Sequence, residues 1–208
     1  IGGMTEEATR RAKEIYGAFC SGELLSTNDR TAEMAKLSEN SFRDVNIAFA
    51  NELSIICDKL DIDVWELIKL ANHHPRVNIL QPGPGVGGHC IAVDPWFIVS
   101  AAPQEARLIH IAREVNDGKP EWVVDKVAHA IDRSGAKKVA ALGLAFKANI
   151  DDFRESPARL VAATLARRFG RRIAIVEPYA DTLPVEFTDT GALLTVNGVG
   201  RRATRQVP

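Results

Sequence analysis

Cysteine is scarce in this 208-residue chain, and the three present, Cys20, Cys57 and Cys90, stand far apart. Three thiols at wide, unpaired spacing exclude a disulfide scaffold and fit a reducing compartment. An excess of one charge is lacking too, with 26 basic against 27 acidic residues and a net charge of −1. A nucleic-acid binder ordinarily carries a basic face or stripe, so that class is set aside. No apolar run approaches the ~18 residues of a membrane span; the longest clear one is Val139–Phe146. The opening Ile1-Gly2-Gly3-Met4 has no charged segment leading into an apolar one, as a signal peptide would. These absences predict a soluble, cytoplasmic, globular protein of one or two domains, long enough to bury its own core.

Glycine and proline are missing from Glu23 to His74, then crowd into Pro75, Pro82, Gly83, Pro84, Gly85, Gly87 and Gly88. The uninterrupted stretch predicts helix, because turn residues are absent and apolar residues recur at helical spacing. Ahead of it, Thr5 can cap a first helix with Ala8, Ala12, Ile15, Tyr16 and Phe19 on one face and Gly22 past its end. Glu23–Thr27 reads as an extended link. A long helix follows from Thr27–Asp29 to about Leu60, with Leu37, Phe42, Val45, Phe49, Leu53, Ile56 and Leu60 inward. That length suits a spine through a bundle or a dimer interface. Asp63 caps a shorter helix with the stripe Val64, Leu67, Ile68 and Ala71, and three more helices are expected over Pro95–Ala101, Glu105–Asn116 and Pro120–Ser134.

After Gly135 the pattern changes. Val139–Phe146 is short and apolar enough for a strand buried on both faces. Ser156-Pro157 then open a helix that Gly170 closes, and Arg172–Val176 is a second strand. Strand, helix, strand is one βαβ unit of a parallel sheet, and a doubly wound sheet needs several more. Beyond Pro178 only Leu193–Val196 offers another strand. Gly198–Pro208 holds three arginines and no acid, while the rest has 23 basic and 27 acidic residues. The expected fold is mainly α: a helical central, dimerising domain over 1–134, an incomplete Rossmann-like α/β unit over 135–197, and an irregular tail over 198–208.

Cys90 is the sharpest candidate for chemistry. It follows the glycines of Pro82–Gly88, which let backbone approach a ligand closely, and Asp94-Pro95 begin a helix just after it. A helix N-terminus favours a thiolate, so a nucleophile is preferred here to an inert cysteine with Asp94 as a mere cap. Cys20 and Cys57 lie on apolar helical faces and read as core. The glycine cluster follows no strand and opens no long helix, unlike a dinucleotide-binding turn. His73, His74, His89 and Cys90 lack the paired spacing of zinc ligands, and no metal site is expected. Lys36 and Asn40 share a helix face with Glu33 and Arg43, a row that spacing alone assigns to solvent. Lys147, Asp151, Asp152, Arg154, Glu155 and Ser156 follow the first strand, where ligands of parallel sheets bind. A solvated loop fits them equally well.

Four motifs occur in order: Ala32-Glu33-Met34-Ala35-Lys36 with Asn40, Gly87-Gly88-His89-Cys90-Ile91-Ala92-Val93-Asp94, Gly143-Leu144-Ala145-Phe146-Lys147, and Asp151-Asp152-Phe153-Arg154-Glu155-Ser156-Pro157. With them, residues 1–185 resemble the nucleotide-sugar 6-dehydrogenase family, which includes UDP-glucose and GDP-mannose dehydrogenases. Within it the Leu80–Phe97 string looks most like the branch acting on UDP-N-acetyl-D-mannosamine. The UDP-glucose branch has serine and lysine where His89 and Val93 stand. The resemblance implies NAD-dependent oxidation of the sugar C6 alcohol to the acid. Cys90 would capture the aldehyde as a thiohemiacetal and pass through a thioester. Lys36 and Asn40 would stabilise the oxyanion, and Asp94 would position the hydrolytic water. Arg76 would reach the UDP-sugar across a homodimer formed through the long helix. Gly87, Gly88 and Lys147 would line the substrate, and Arg154 would meet NAD.

The family also begins with an NAD-binding Rossmann domain; the first residues here match the segment just after it, and the resemblance fades beyond about Asp189. The expectation is therefore a middle piece, inactive alone. A non-catalytic helical dimerisation fragment, or a dehydrogenase for UDP-N-acetylglucosamine or another UDP-sugar, are the other readings.

Overall fold

Thr5 opens the first helix by accepting the Ala8 N–H on its hydroxyl at 3.1 Å. In the computed structural model, which describes residues 1–147, 149–150, 152–179, 184–187, 190 and the backbone of 193–196 and 199–202, this helix α1 spans Glu6–Gly17. The link after it is more ordered than expected. Gly2–Gly3 (β1) pairs in parallel with Thr27–Asn28 (β2). Asn28 then caps α2 (Asp29–Lys59), its side chain accepting the Thr31 N–H at 2.8 Å. Asp61, in the left-handed region at φ 56°, turns the chain after α2. Asp63 accepts two N–H groups at the start of α3 (Val64–Ala71), whose Ile68 is buried as the periodicity requires. The glycine-rich loop leads to α4 (Asp94–Ala101) and α5 (Arg107–Ser134), which ends at Gly135 in the left-handed conformation.

Packing departs from the predicted pattern in three places. On α2 the expected inward residues Phe42, Phe49, Ile56 and Leu60 are exposed, while Asn40, Ser41, Asp44, Ala48, Ala50, Asn51, Ser54 and Cys57 are buried. Small and polar side chains let α4 and α5 approach closely, and the bulky stripe lies on the opposite side. On α1, Ile15, Tyr16 and Phe19 are likewise exposed, and so is Cys20, contrary to its reading as core. Third, the two helices expected over 105–116 and 120–134 are one helix running through Pro120. An interior proline removes one helix hydrogen bond, at a local cost of ~3 kcal/mol. Here α2 grips the turn just ahead of the proline: Asn116 Nδ2 donates to Asp44 Oδ1 at 2.8 Å, and Lys119 Nζ donates to Ser54 Oγ at 2.5 Å.

The α/β unit comprises β3 (Val139–Leu142), α6 (Pro157–Phe169), β4 (Ile173–Val176), β5 (Leu193–Val196) and β6 (Val199–Arg202), in sheet order β3-β4-β5-β6. The first three strands are parallel and β6 is antiparallel to β5. Val199–Arg202 is thus a strand where an irregular tail was expected; residues 203–208 lie outside the described residues. Ile173 and Ile175 of β4 and Ala162, Ala163, Leu165 and Ala166 of α6 form a core with Leu144, Phe187 and, from α5, Val124 and Ile131. Burying each such isoleucine contributes ~2 kcal/mol. The strand expected to be buried on both faces is only four residues long and open on one: Ala140 and Leu142 face solvent, since among the described residues no layer covers that face. Among the described residues no helix is long and apolar enough to cross a membrane.

Candidate active site

Asn40 and Asp94, 54 residues apart in sequence, meet directly. Asn40 Nδ2, buried on α2, donates to Asp94 Oδ2 at 2.5 Å. Asp94 is the first residue of α4, so it is not that helix's cap; Val93 precedes it and makes no side-chain cap bond. The Cys90 carbonyl instead accepts the Val93 and Asp94 N–H groups at 3.1 and 2.8 Å, folding Cys90 into the turn that starts the helix. Its thiol is open to solvent. Cys90, Asn40 and Asp94 are therefore assembled at the N-terminal end of α4, with the carboxylate already oriented by an amide.

The glycines ahead of Cys90 carry the loop onto the α/β unit. A Cβ at Gly87 would stand 2.6 Å from Phe146 Cβ and 2.8 Å from the Glu155 carbonyl oxygen, so only glycine fits. Gly88, buried at φ 81°, faces the Phe146 ring, and its N–H donates to the Arg154 carbonyl at 3.4 Å. Phe146 is presented by a turn anchored on β4: Gly143 N–H donates to the Val176 carbonyl at 2.7 Å, and Leu144 N–H to the buried Glu177 Oε2 at 2.7 Å. Sequence reading missed Phe146 and Glu177 as supports. Their signal is an aromatic and a carboxylate at the carboxyl ends of two parallel strands.

Arg154 closes this side. Its guanidinium holds Asp152 through Nε at 2.9 Å and Nη2 at 2.6 Å. Those bonds, with the Arg154 N–H, keep the Asp152 carboxyl down at about 2. Asp152 in turn raises the Arg154 pKa. Lys147 is exposed just past Phe146, and Asp151 lies outside the described residues. Lys36 is not joined to Asn40 or Asp94; its amine pairs with Glu39 at 3.2 Å in solvent. Arg76 is exposed after α3, its N–H donating to His74 Nδ1 at 3.2 Å. Among the described residues no three His, Cys, Asp or Glu side chains converge as metal ligands would.

Behind the loop runs a buried polar seam between α2 and α5 that spacing alone did not reveal. Asp44 and Arg113 pair at 2.5 Å with side chains 0% and 1% exposed, and burial pushes the Asp44 carboxyl up against the pull of the guanidinium. Asn116 bonds Asp44 and Asn51; Lys119, its amine 3.9 Å from the Trp122 ring centre, has its pKa lowered to about 8 by burial. The α2 members Asn40, Asp44 and Asn51 lie on one helix face, a polar stripe within a helix that also carries an apolar one. A cleft of ≈ 750 Å³ runs between α4, α5 and α6, and Cys90 is not on its wall.

Comparisons with known proteins agree with this layout. The central-domain model of the UDP-glucose/GDP-mannose dehydrogenase family matches residues 30–118, and the same family's UDP-binding-domain model matches 140–200. The UDP-N-acetyl-D-mannosamine dehydrogenase of Salmonella typhi is 62% identical over 192 residues, covering 88% of this chain and 46% of the relative. The NDP-N-acetyl-D-galactosaminuronic acid dehydrogenase of Ralstonia nicotianae is 59% identical over 184 residues, covering 88% and 44%. Among solved structures, the UDP-N-acetyl-mannosamine dehydrogenase of Staphylococcus aureus superposes with a TM-score of 0.80 at 44% identity, over 94% of this chain and 48% of that one. The chain spans about half the length of the relatives it matches.

Proposed function

The chain belongs to the UDP-glucose/GDP-mannose dehydrogenase family, and from that premise we propose that its residues serve the oxidation of a UDP-sugar C6 alcohol to the acid. UDP-N-acetyl-D-mannosamine is the favoured substrate, on the strength of the Salmonella typhi relative and of His89 and Val93 flanking the thiol. The Ralstonia nicotianae relative, at 59% identity, keeps another UDP-N-acetylhexosamine as the second reading. The observation that carries the proposal is the Asn40–Asp94 hydrogen bond beside Cys90, which unites residues of two separate motifs.

In this reading Cys90 Sγ attacks the C6 aldehyde, forming an S–C bond as the carbonyl oxygen takes a proton. Loss of a hydride and a proton from that thiohemiacetal leaves a thioester. Water adds, the C–S bond breaks, and the uronate and thiol are released, so the aldehyde never leaves between oxidations. Asn40 and Lys36 stabilise the oxyanion. Lys36 is free to turn inward, because an exposed pair such as Lys36–Glu39 is worth only ~0.5 kcal/mol. Asp94 orients the hydrolytic water. NAD, when bound, accepts both hydrides. Arg154, a solvent-exposed cation on the loop that Gly88 touches, would meet it from the α/β unit. Gly87, Gly88 and Lys147 line the nucleotide sugar. A second copy of the chain covers the apolar stripe of α2 and contributes Arg76.

The test is alkylation at mildly acidic pH. Cys90 and Cys20 are both exposed, so accessibility alone predicts similar rates. A primed nucleophile reacts on the order of tenfold faster; equal rates at the two thiols would sink the reading and leave a helical dimerisation module. The glycine loop follows no strand of the described residues and opens only the eight-residue α4, so the 208-residue polypeptide by itself is expected to reduce no NAD.

A further inference from the structure

The loop that carries Cys90 is fastened to α2 at both ends. Near its start, Gly83 N–H donates to Asn51 Oδ1 at 2.8 Å; at its end, Asp94 accepts from Asn40. Asn40 and Asn51 lie on one face of the same helix, eleven residues and ~16 Å apart. Asn51 is fully buried and is itself held on α5: its Nδ2 donates to Asn116 Oδ1 at 2.9 Å, and its carbonyl accepts from Lys119 Nζ at 3.4 Å. Asn116 is locked in turn by Asp44, with 2.8 Å to the carboxylate and 3.1 Å to the carbonyl. A buried amide whose oxygen and nitrogen each have a named partner has one orientation, and a donor that loses it is left unpaired.

We propose that Asn51 is a positioning residue for the Cys90 loop, fixing the start of segment 83–94 to α2 while Asn40 fixes its end. Between the two anchors Gly87 and Gly88 lie against Phe146, Pro157 and the Arg154 and Glu155 carbonyls, so the loop's path to Cys90 is set by α2 at its ends and by the α/β unit between them. The α2–α5 seam thereby acts on the thiol without touching it. The purpose of such a clamp rests on Cys90 being the nucleophile; its geometry does not.

Amide hydrogen exchange on the 208-residue chain tests it. Asn51→Ala is expected to accelerate exchange on the order of tenfold at Gly83 and also at Gly88, five residues further on. Gly83→Pro, which deletes the donor from the loop side and leaves the seam intact, is expected to do the same at Gly88, and decides the matter if Asn51→Ala does not fold; a Cβ at Gly83 meets nothing within 4 Å. Ile131→Val removes a methyl from the core near the far end of α5, away from Asn51; it should lower the melting temperature and leave loop exchange unchanged. Acceleration confined to Gly83, no change at Gly88 in Gly83→Pro, or equal loop acceleration in Ile131→Val would each overturn the proposal. If the exchange pattern holds while Cys90 alkylates no faster than Cys20, the clamp stands and the nucleophile does not.

Discussion

Arg154 and Asp152 are two residues apart, the arginine exposed and the aspartate half-buried, and joined through both carboxylate oxygens. A pair this open to solvent contributes little to stability, but it fixes where a cation stands on the loop that Gly88 touches. The Asp152 pKa is depressed to about 2, so the pair's contribution is complete above the ordinary carboxylate range and is lost as pH falls through about 2. Replacing the guanidinium, as in Arg154→Gln, is expected to return the Asp152 midpoint toward 3.8, the ordinary value, in a carbon-detected NMR titration. A midpoint that stays near 2 would mean that Arg154 is not what holds the carboxylate. This pair was legible only in part. The residues were visible as polar neighbours after a strand, yet nothing in their spacing distinguished a solvated loop from one folded against the thiol.

Among the elements, the glycine loop shows a contact that its sequence did not announce: its glycines predict approach to a ligand, and Gly87 lies against the protein itself, at Phe146, Glu155 and Pro157. Gly87→Ala must push the loop off the α/β unit, an overpacking that costs ~1–3 kcal/mol. Thermal unfolding should record a lower melting temperature, and an unchanged one would show that the loop does not bear on Phe146. Helix starts were more legible, because Thr5, Asp63 and Ser156 cap through their own side chains. Helix continuity was not. Pro120 reads as a start signal, and α5 passes through it only because Asn116 and Lys119 are tied to a helix some 65 residues away in sequence.

At the scale of the whole molecule, α2 is the element that relates everything else. One side holds Asn40, Asp44 and Asn51 for the site and seam; the other presents Phe42, Phe49, Ile56 and Leu60, exposed by 71, 55, 44 and 60%. An apolar stripe of that extent suits a partner surface better than water, which supports the second copy proposed above. Sedimentation velocity should find the chain dimeric, and Phe49→Asp should weaken the dimer by at least tenfold, since a charge at the centre of an apolar interface costs well over ~1.4 kcal/mol. Identical sedimentation of the two proteins would remove α2 as the interface.

Neighbouring residues sufficed for local events: the caps of α1, α3 and α6, the apolar runs that hold β3, β4 and β5, and the order of four motifs that carry family membership. Each of these is written in neighbouring residues, through caps, glycine conformations and period. Tertiary structure alone decided which face of α2 is covered, whether α5 is one helix or two, and that Asp44, Asn51, Arg113 and Lys119 are buried. Period gives a side chain's direction about a helix axis and not what lies there. A polar group can be buried only when distant segments arrive with the hydrogen bonds it would otherwise make to water.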